Sequence, residues 1–310
     1  MLLFVNDTFS QRFIYSSPKD KSLYNMENTT IIMSFESHYS HPENIRLRVI
    51  GSLSGYHKGQ AKIIDNNPTK ISFKPEKPFK LGEKVTVSGY NHSDKFVFYI
   101  RENGNVNAKN ILTQILNTET SSLKPIDYTN SYSSKLLDTL PVLQVNQYGI
   151  TSPGNLFIVN FDNVSSAVVS YLMILNDNGQ PKKYKKLRFR GLDFKRQNNY
   201  YIYWDEDYYQ YKALDSGMNM VDSFYCGNGY VTDFHECVLE PDNSAWLMSY
   251  DPQYVDMSQI VPNGKPNALV TGLIIQKINS EKDVVFQWRS WDHMLITDAT
   301  HEDLTAYQID

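Results

Sequence analysis

Short alternating runs of apolar and polar residues dominate the first hundred positions of the chain. In residues 70–74 and 84–88 every second side chain is apolar, which predicts strands with one buried and one solvated face. Turn-forming residues such as Pro75 and Gly82 separate these runs. Many short strands with turn signals between them predict a small β-sandwich over residues 10–103. Its histidines are predicted to be ordinary surface residues: His38, His41, His57 and His92.

Residues 104–136 have a different pattern, because Asn, Ser, Thr and Lys predominate around one apolar patch, 111–116. This composition is typical of a linker. We predict at most one helical turn or an edge strand within it.

From residue 137 onward the chain repeats a hairpin pattern. Three segments each contain an apolar residue, then Asn or Asp, a polar turn and a second strand: Met173–Tyr184, Ala213–Phe224 and Gln276–Trp288. Leu175 and Leu214 are 39 positions apart, and Leu214 and Ile278 are 64 apart. A strand repeat of about 40 residues predicts β-propeller blades over residues 137–310, with a solenoid as the alternative.

An Asp-Phe element precedes two of these hairpins, at Asp193 and at Asp233. In a propeller the innermost strands line the central channel, so Asp193 and the Asp233–His235 pair are predicted at equivalent places near the axis. His235 could act as a nucleophile or a general acid–base group. The alternative is that Asp233 and His235 only brace the inner strand.

A second candidate cluster follows the apolar strand that ends at Trp288. Arg289 can grip an anion through its forked donors, and the face of Trp291 suits an aromatic ring or a sugar. Asp292 and His293 complete the cluster. The alternative is a corner in which Trp288 is buried and Arg289 pairs with Asp292. His301 lies among acidic residues and is predicted to cap a short helix or turn.

Composition excludes some classes of function. The chain has 310 residues, enough for about two domains, with a net charge of −4 and a pI of about 6.0. These values do not favour a nucleic-acid or membrane-surface partner. The start of the chain lacks the pattern of a signal peptide, and no apolar run could span a membrane. Cys226 and Cys237 have no further ligands nearby, so we predict no metal site and favour free thiols over a disulfide.

Three stretches carry a resemblance to a known family: "YLMILNDNGQPKKYKKLRFRGLDFKRQNNYYIYWD", "CGNGYVTDFHECVLEPDNSAWLMSYD" and "GLIIQKINSEKDVVFQWRSWDH". They resemble the bacterial aryl-sulfate sulfotransferase family over residues 140–310. Residues 20–102 resemble the immunoglobulin-like domain that some members carry before the catalytic domain. The resemblance implies an all-β chain: an immunoglobulin-like β-sandwich, followed by the first three to four blades of a six-bladed-type β-propeller.

The family transfers a sulfuryl group from an aryl sulfate to a phenol through a sulfated histidine, without a cofactor. The resemblance implies that His235 is a supporting catalytic histidine and not the nucleophile. It also suggests Asp233, Arg289, Trp291 and His293 as substrate-binding residues.

The family motifs that carry the nucleophile have no match here, so we expect this chain to be an inactive fragment of a secreted or periplasmic parent. Small aromatic sulfates and phenols would be its ligands. The alternatives are a secreted non-catalytic module that binds glycans or protein partners, and a product without function.

Overall fold

The computed structural model describes residues 13–36, 47–89, 95–104, 108–121, 140–141, 143–146, 149–150, 152–160 and 169–309. Most of them lie in β-strands, and the chain is all-β as predicted. They form two compact units. The first is drawn from residues 1–106, 227–230 and 251–310, and the second from residues 107–226 and 231–250. Within the described residues no helix is long and apolar enough to cross a membrane.

In the amino-terminal part of the first unit, the described residues form nine strands: β1 Phe13–Ser17, β2 Ser22–Asn25, β3 Ile31–Phe35, β4 Arg48–Gly51, β5 Gly55–His57, β6 Gly59–Ile64, β7 Asn67–Pro75, β8 Lys84–Ser88 and β9 Lys95–Ile100. One sheet has the order β1-β3-β7-β6 and the other β2-β9-β8-β4-β5. Their apolar faces share one core, which includes Ile71 of the first sheet and Val85 and Val87 of the second. This is the predicted β-sandwich, and the alternation in residues 84–88 correctly marks its buried face.

A buried carboxylate fastens the β4–β5 turn of the sandwich. Glu83 is fully buried and accepts hydrogen bonds from the backbone amides of Leu53, Ser54 and Lys80, at 2.6–3.0 Å. The Ser54 hydroxyl donates to the same carboxylate at 2.7 Å. Burial raises the pKa of Glu83, but these hydrogen bonds lower it more, so the net shift is downward.

The prediction that His57 is an ordinary surface residue was wrong, because its side chain is buried. Its Nε2 lies 2.6 Å from the Ser54 hydroxyl and its Nδ1 lies 3.2 Å from the Lys77 carbonyl oxygen. Its ring also packs against Phe79 at 4.4 Å. With both ring nitrogens partnered, a buried histidine is no longer costly. His38, His41 and His92 lie outside the described residues.

The remaining elements follow in chain order. They are α1 Ala108–Ser121, β10 Asn155–Val159, β11 Tyr171–Asn176, β12 Pro181–Lys186, β13 Gly191–Gln197, β14 Tyr200–Asp205, β15 Gln210–Leu214, β16 Met220–Phe224, β17 Thr232–Leu239, β18 Ala245–Val255, β19 Ala268–Ile278, β20 Val284–Arg289, α2 Ser290–His293 and β21 Gln308–Ile309. Strands β10-β11-β12 form one antiparallel sheet and β13-β14-β15-β16 a second. β17 pairs antiparallel with β18, and β19 pairs antiparallel with β20 and parallel with β21. Successive antiparallel meanders are the strand pattern that the predicted blades require.

Helix α1 corrects the prediction of at most one helical turn within residues 104–136, because it spans Ala108–Ser121. Its apolar residues Ile111 and Leu112 are buried. The Thr113 hydroxyl lies 2.9 Å from the hydroxyl of Tyr209. Tertiary contacts of this kind stabilise a helix whose polar composition alone indicates a linker. Residues 105–107 and 122–136 of the predicted linker lie outside the described part of the chain.

Four hairpins within the described residues share one five-residue loop. In each loop the first residue donates its amide to the fifth carbonyl, and the fourth residue donates to the first carbonyl; the loops are 176–180, 215–219, 240–244 and 279–283. The fourth residue always has a positive φ: Gly179, Met218, Asn243 and Lys282. The hairpins predicted at Asn176, Asp215 and Asn279 are therefore confirmed. The fourth, at Glu240, was not predicted as a repeat.

The side chain at the first loop position should hold the hairpin together. Asn279 Oδ1 accepts from the amides of Glu281 at 3.1 Å and Asp283 at 2.8 Å. We expect Asn279→Ala to lower the free energy of unfolding by about 1 kcal/mol, as for loss of a typical cap or hydrogen bond. Asn279→Asp keeps the acceptor and should change it little. Urea unfolding measures both, with Ser280→Ala as the matched control. Equal effects of the three substitutions would contradict this role.

A second prediction concerns the acid stability of the sandwich. Because the folded pKa of Glu83 is lowered, its stabilisation is present above the ordinary carboxyl pKa of 4.5 and is lost as the pH falls through the folded value. We expect Glu83→Gln to cost about 2 kcal/mol near neutral pH, because the side-chain NH2 group cannot accept the hydrogen bonds that one carboxylate oxygen now accepts. The loss of stability of Glu83→Gln relative to the wild-type chain should become smaller as the pH falls through the folded pKa of Glu83. Thermal unfolding followed by circular dichroism against pH tests this, with exposed Glu76→Gln as the control. A deficit independent of pH would contradict it.

Candidate functional site

Both Asp-Phe elements form bulges in the first strand of a meander. The β13–β14 register shifts between Leu192 and Lys195, and the β17–β18 register shifts between Thr232 and Cys237. In each bulge the phenylalanine, Phe194 or Phe234, is buried. A bulge re-aims the side chains beside it, which is why bulges often occur near functional sites. The repeat in the sequence therefore corresponds to a repeat in local structure.

The second bulge of the second unit orients a histidine. His235 Nδ1 lies 2.7 Å from Asp233 Oδ2, and the His235 amide donates to the same oxygen at 3.0 Å. Asp233 is 1% exposed, whereas the His235 side chain is 35% exposed. The imidazole stacks on the Phe234 ring with centroids 4.2 Å apart. A buried carboxylate that fixes a partly exposed imidazole is the arrangement of an acid–base histidine, with proton exchange through Nε2.

Asp193 and Lys195 of the first bulge connect to the second bulge, which carries Asp233 and His235, through Glu236. Lys195 Nζ lies 2.7 Å from Asp193 Oδ2 and also contacts Glu236 Oε1. The Tyr211 hydroxyl lies 2.9 Å from both Asp193 Oδ2 and the Phe234 carbonyl oxygen. Burial raises the pKa of Asp193 more than its bonds to Lys195 and Tyr211 lower it. The two bulges therefore form one polar cluster.

Lys195 and Tyr211 were not predicted from the sequence as members of this cluster. A signal for Lys195 was present. When the two Asp-Phe elements are aligned, Lys195 occupies the position of His235. Each bulge therefore offers one group that can carry positive charge next to an aspartate. Tyr211 lies on β15 and had no comparable signal in the sequence.

The structure places Arg289 in the interior of the first unit. It is 1% exposed. Its Nη1 donates to Ser22 Oγ and Asn25 Oδ1, at 3.1 and 2.8 Å, and its Nη2 donates to the carbonyl oxygens of Leu23 and Tyr24, at 3.0 Å each. These donors serve the protein itself, so the geometry gives no support to Arg289 as an anion ligand.

Two carboxylates balance the buried guanidinium. Asp251 Oδ2 lies 3.3 Å and Asp292 Oδ2 3.5 Å from its nitrogens. Burial raises the pKa of Asp251, and Arg289 opposes that shift. The pairing of Arg289 with Asp292 that the alternative predicted is present, whereas Trp288, which it predicted to be buried, is half-buried.

Of the other residues of this predicted cluster, Trp291 packs within the fold and His293 lies on the surface. Trp291 donates Nε1–H to the Asp251 carbonyl oxygen at 3.1 Å and packs against Tyr24 at 5.1 Å. His293 is exposed, and its ring is nearly parallel to the half-buried Trp288 ring at 5.4 Å. Trp291 is thus part of the fold, and His293 remains a surface candidate.

The last histidine, His301, is exposed in a bend and lies outside the short helical turn Ile296–Asp298. Among the residues that the structure describes, no group of three or more His, Cys, Asp or Glu side chains could hold a metal ion.

Comparison with known proteins identifies no family. No family model and no curated protein matches the chain. Among solved structures, L,D-transpeptidase 3 from Mycobacterium tuberculosis matches 29% of this chain, with 10% identity and a TM-score of 0.23. The matched part spans 37% of that transpeptidase.

Two copper-related proteins are also similar over part of the chain. CopC from Methylosinus trichosporium OB3b matches 31% of this chain and 98% of its own, with 15% identity and a TM-score of 0.25. PcoC, a copper resistance protein from Escherichia coli, matches 29% and 99%, with 12% identity and a TM-score of 0.24. Scores this low support no functional conclusion.

The two cysteines of the second unit are free and buried. Burial raises the pKa of Cys226 and of Cys237 to about 12. We therefore expect neither thiol to react with a disulfide reagent in the folded chain at about pH 8, and both to react in denaturant, because the thiolate is the nucleophile. A spectrophotometric thiol assay measures this. Rapid reaction of either thiol in the folded chain would contradict the prediction.

Proposed function

We propose that the polar cluster of the second unit is the ligand site of a protein of the aryl-sulfate sulfotransferase type. The observation that carries this proposal is the Asp233–His235 pair, with its 2.7 Å contact and its fully buried carboxylate. His235 has the supporting role that the family resemblance implies, and a different histidine would carry the sulfuryl group. Its ligands would be small aromatic sulfates and phenols, in a secreted or periplasmic setting.

In this role the chemistry of His235 depends on Asp233. The carboxylate stabilises positive charge on the imidazole, so that Nε2–H can donate to a sulfuryl oxygen as negative charge develops there. The ammonium group of Lys195, at the equivalent position of the first bulge, would add a second positive charge. Phe234, stacked on the imidazole, fixes the plane of the ring.

A second candidate function is the binding of a neutral glycan, and one observation favours it. The cluster holds three carboxylates, Asp193, Asp233 and Glu236, against one lysine and one histidine. This excess of acid would repel a sulfate but would accept hydrogen bonds from sugar hydroxyls. The chain would then be the non-catalytic binding module considered above.

Titrations of the purified chain with 4-nitrophenyl sulfate and with cellohexaose, followed by NMR of the histidine side chains, separate the two candidates. If the site binds sulfate, 4-nitrophenyl sulfate should perturb the His235 ring. His235→Ala should then weaken binding about tenfold or more, as for loss of a charge-assisted hydrogen bond. Exposed His301→Ala is the matched control and should leave the affinity unchanged.

The opposite pattern supports the second candidate. Cellohexaose would then perturb His235, and Glu236→Gln would weaken that binding while 4-nitrophenyl sulfate has no effect. If neither probe perturbs His235, or if His301→Ala weakens binding as much as His235→Ala, the assignment of this cluster as a ligand site is wrong. Circular dichroism of each variant confirms that it is folded.

A further inference from the structure

A short segment of the second unit concentrates positive charge. Six of the 30 Lys and Arg residues of the chain lie within positions 182–190, and no Asp or Glu lies between Asp177 and Asp193. Since the whole chain has a net charge of −4, this segment is a local reversal of sign, which favours a negatively charged partner. We call residues 181–190 the basic segment; its charged residues are Lys182, Lys183, Lys185, Lys186, Arg188 and Arg190.

The first part of the basic segment is an edge strand. β12 ends the sheet order β10-β11-β12, and its side chains alternate between exposed and half-buried positions. Lys182, Tyr184 and Lys186 are exposed, and they span about 13 Å of an extended strand. Arg188 and Phe189 continue the exposed surface after the strand ends. The segment therefore presents its cations in a row and not at a single point.

The internal contacts of two lysines hold their ammonium groups in place without cancelling their charge. Lys182 Nζ donates to Asn155 Oδ1, and Lys185 Nζ donates to the Met218 carbonyl oxygen, each at 3.0 Å. Both acceptors are neutral oxygens. These hydrogen bonds therefore fix where the positive charge lies.

Two other members of the basic segment have a carboxylate nearby. Arg190 forms an ion pair with Glu206, and Lys183 acts electrostatically on Asp215. The basic residues best placed for an external anion are therefore the exposed ones.

Two exposed aromatic rings lie among these cations. Tyr184 is 56% exposed and Phe189 is 42% exposed. The Tyr184 ring meets the buried Tyr171 ring edge-on, with centroids 6.4 Å apart, and the Arg188 guanidinium lies 5.1 Å from the centre of the Phe189 ring. Exposed aromatic faces suit the apolar faces of sugar rings. The surface thus fits a polymer that carries anions at intervals with rings between them.

Sulfated polysaccharides and single-stranded nucleic acids both have these features. The charge of the chain favours the first, because nucleic-acid-binding domains usually have a pI above about 9, whereas the pI here is about 6.0. We propose that the basic segment binds a sulfated polysaccharide, with sulfate groups beside Lys182, Lys186 and Arg188 and sugar rings against Tyr184 and Phe189. This surface shares no residue with the polar cluster of the two bulges, so binding here is independent of the function proposed for that cluster.

Calorimetric titration of the purified chain with a short heparin oligosaccharide tests this surface. Binding should be saturable and should weaken as NaCl is added, because salt screens exposed charges. The triple variant Lys182→Gln/Lys186→Gln/Arg188→Gln should weaken binding about tenfold or more, because it removes three exposed ionic contacts. The matched control removes the same charge from exposed positions of the first unit and should leave the affinity nearly unchanged: Lys70→Gln/Lys74→Gln/Lys84→Gln.

NMR of the wild-type chain gives a readout that needs no variant. Heparin should shift the backbone amide resonances of residues 182–189 more than hyaluronan, which has carboxylates but no sulfate, and more than an oligodeoxythymidine. Larger shifts with the oligonucleotide would assign a nucleic acid and overturn the proposal, as would equal weakening of heparin binding by the control variant. Lysines on an edge strand also prevent edge-to-edge aggregation. If that is their only role, heparin shifts no resonance of this segment, the triple variant aggregates, and the proposal is wrong.

Discussion

The burial of one positive charge, the guanidinium of Arg289, constrains much of the first unit. Moving a charged group out of water costs several kcal/mol, so the fold must surround it with acceptors. β2 supplies a side-chain hydroxyl, a side-chain amide and two backbone carbonyls, and Asp251 and Asp292 supply carboxylates. Trp291 in turn donates to the backbone of Asp251. Removing any one of these partners would leave a desolvated charge behind.

The burial of Arg289 also distinguishes residues that stabilise the fold from residues that are candidates for a functional site. The Nη1 and Nη2 groups of Arg289 donate to other residues of the first unit, so this side chain stabilises the fold. The Asp233–His235 pair combines a buried carboxylate with a partly exposed imidazole, and it belongs to a cluster that two strand bulges build. A supporting role of His235 in sulfuryl transfer is a proposal that rests on this geometry and on the family resemblance.

Local patterns in the sequence predicted local structure well. The alternation in residues 84–88 gave the buried face of β8, and the Asn or Asp at the head of each predicted hairpin gave its loop. The pairing of Arg289 with nearby Asp292 could be considered from the sequence, but its burial against β2 could not, because its partner Asn25 lies 264 positions earlier in the chain. His57 was misjudged for a related reason, since the Lys77 carbonyl that partners its ring is distant in sequence. Alignment of the two bulges would have revealed Lys195.

The central claim, that Arg289 is an internal cation and not an anion ligand, can be measured directly. NMR of the arginine Nε–H groups of the folded chain, with and without sodium sulfate, reports both solvent exchange and anion contact. The account predicts that the Arg289 Nε–H exchanges far more slowly than those of exposed arginines and that sulfate does not shift its resonance. Fast exchange together with a saturable shift on addition of sulfate would contradict it.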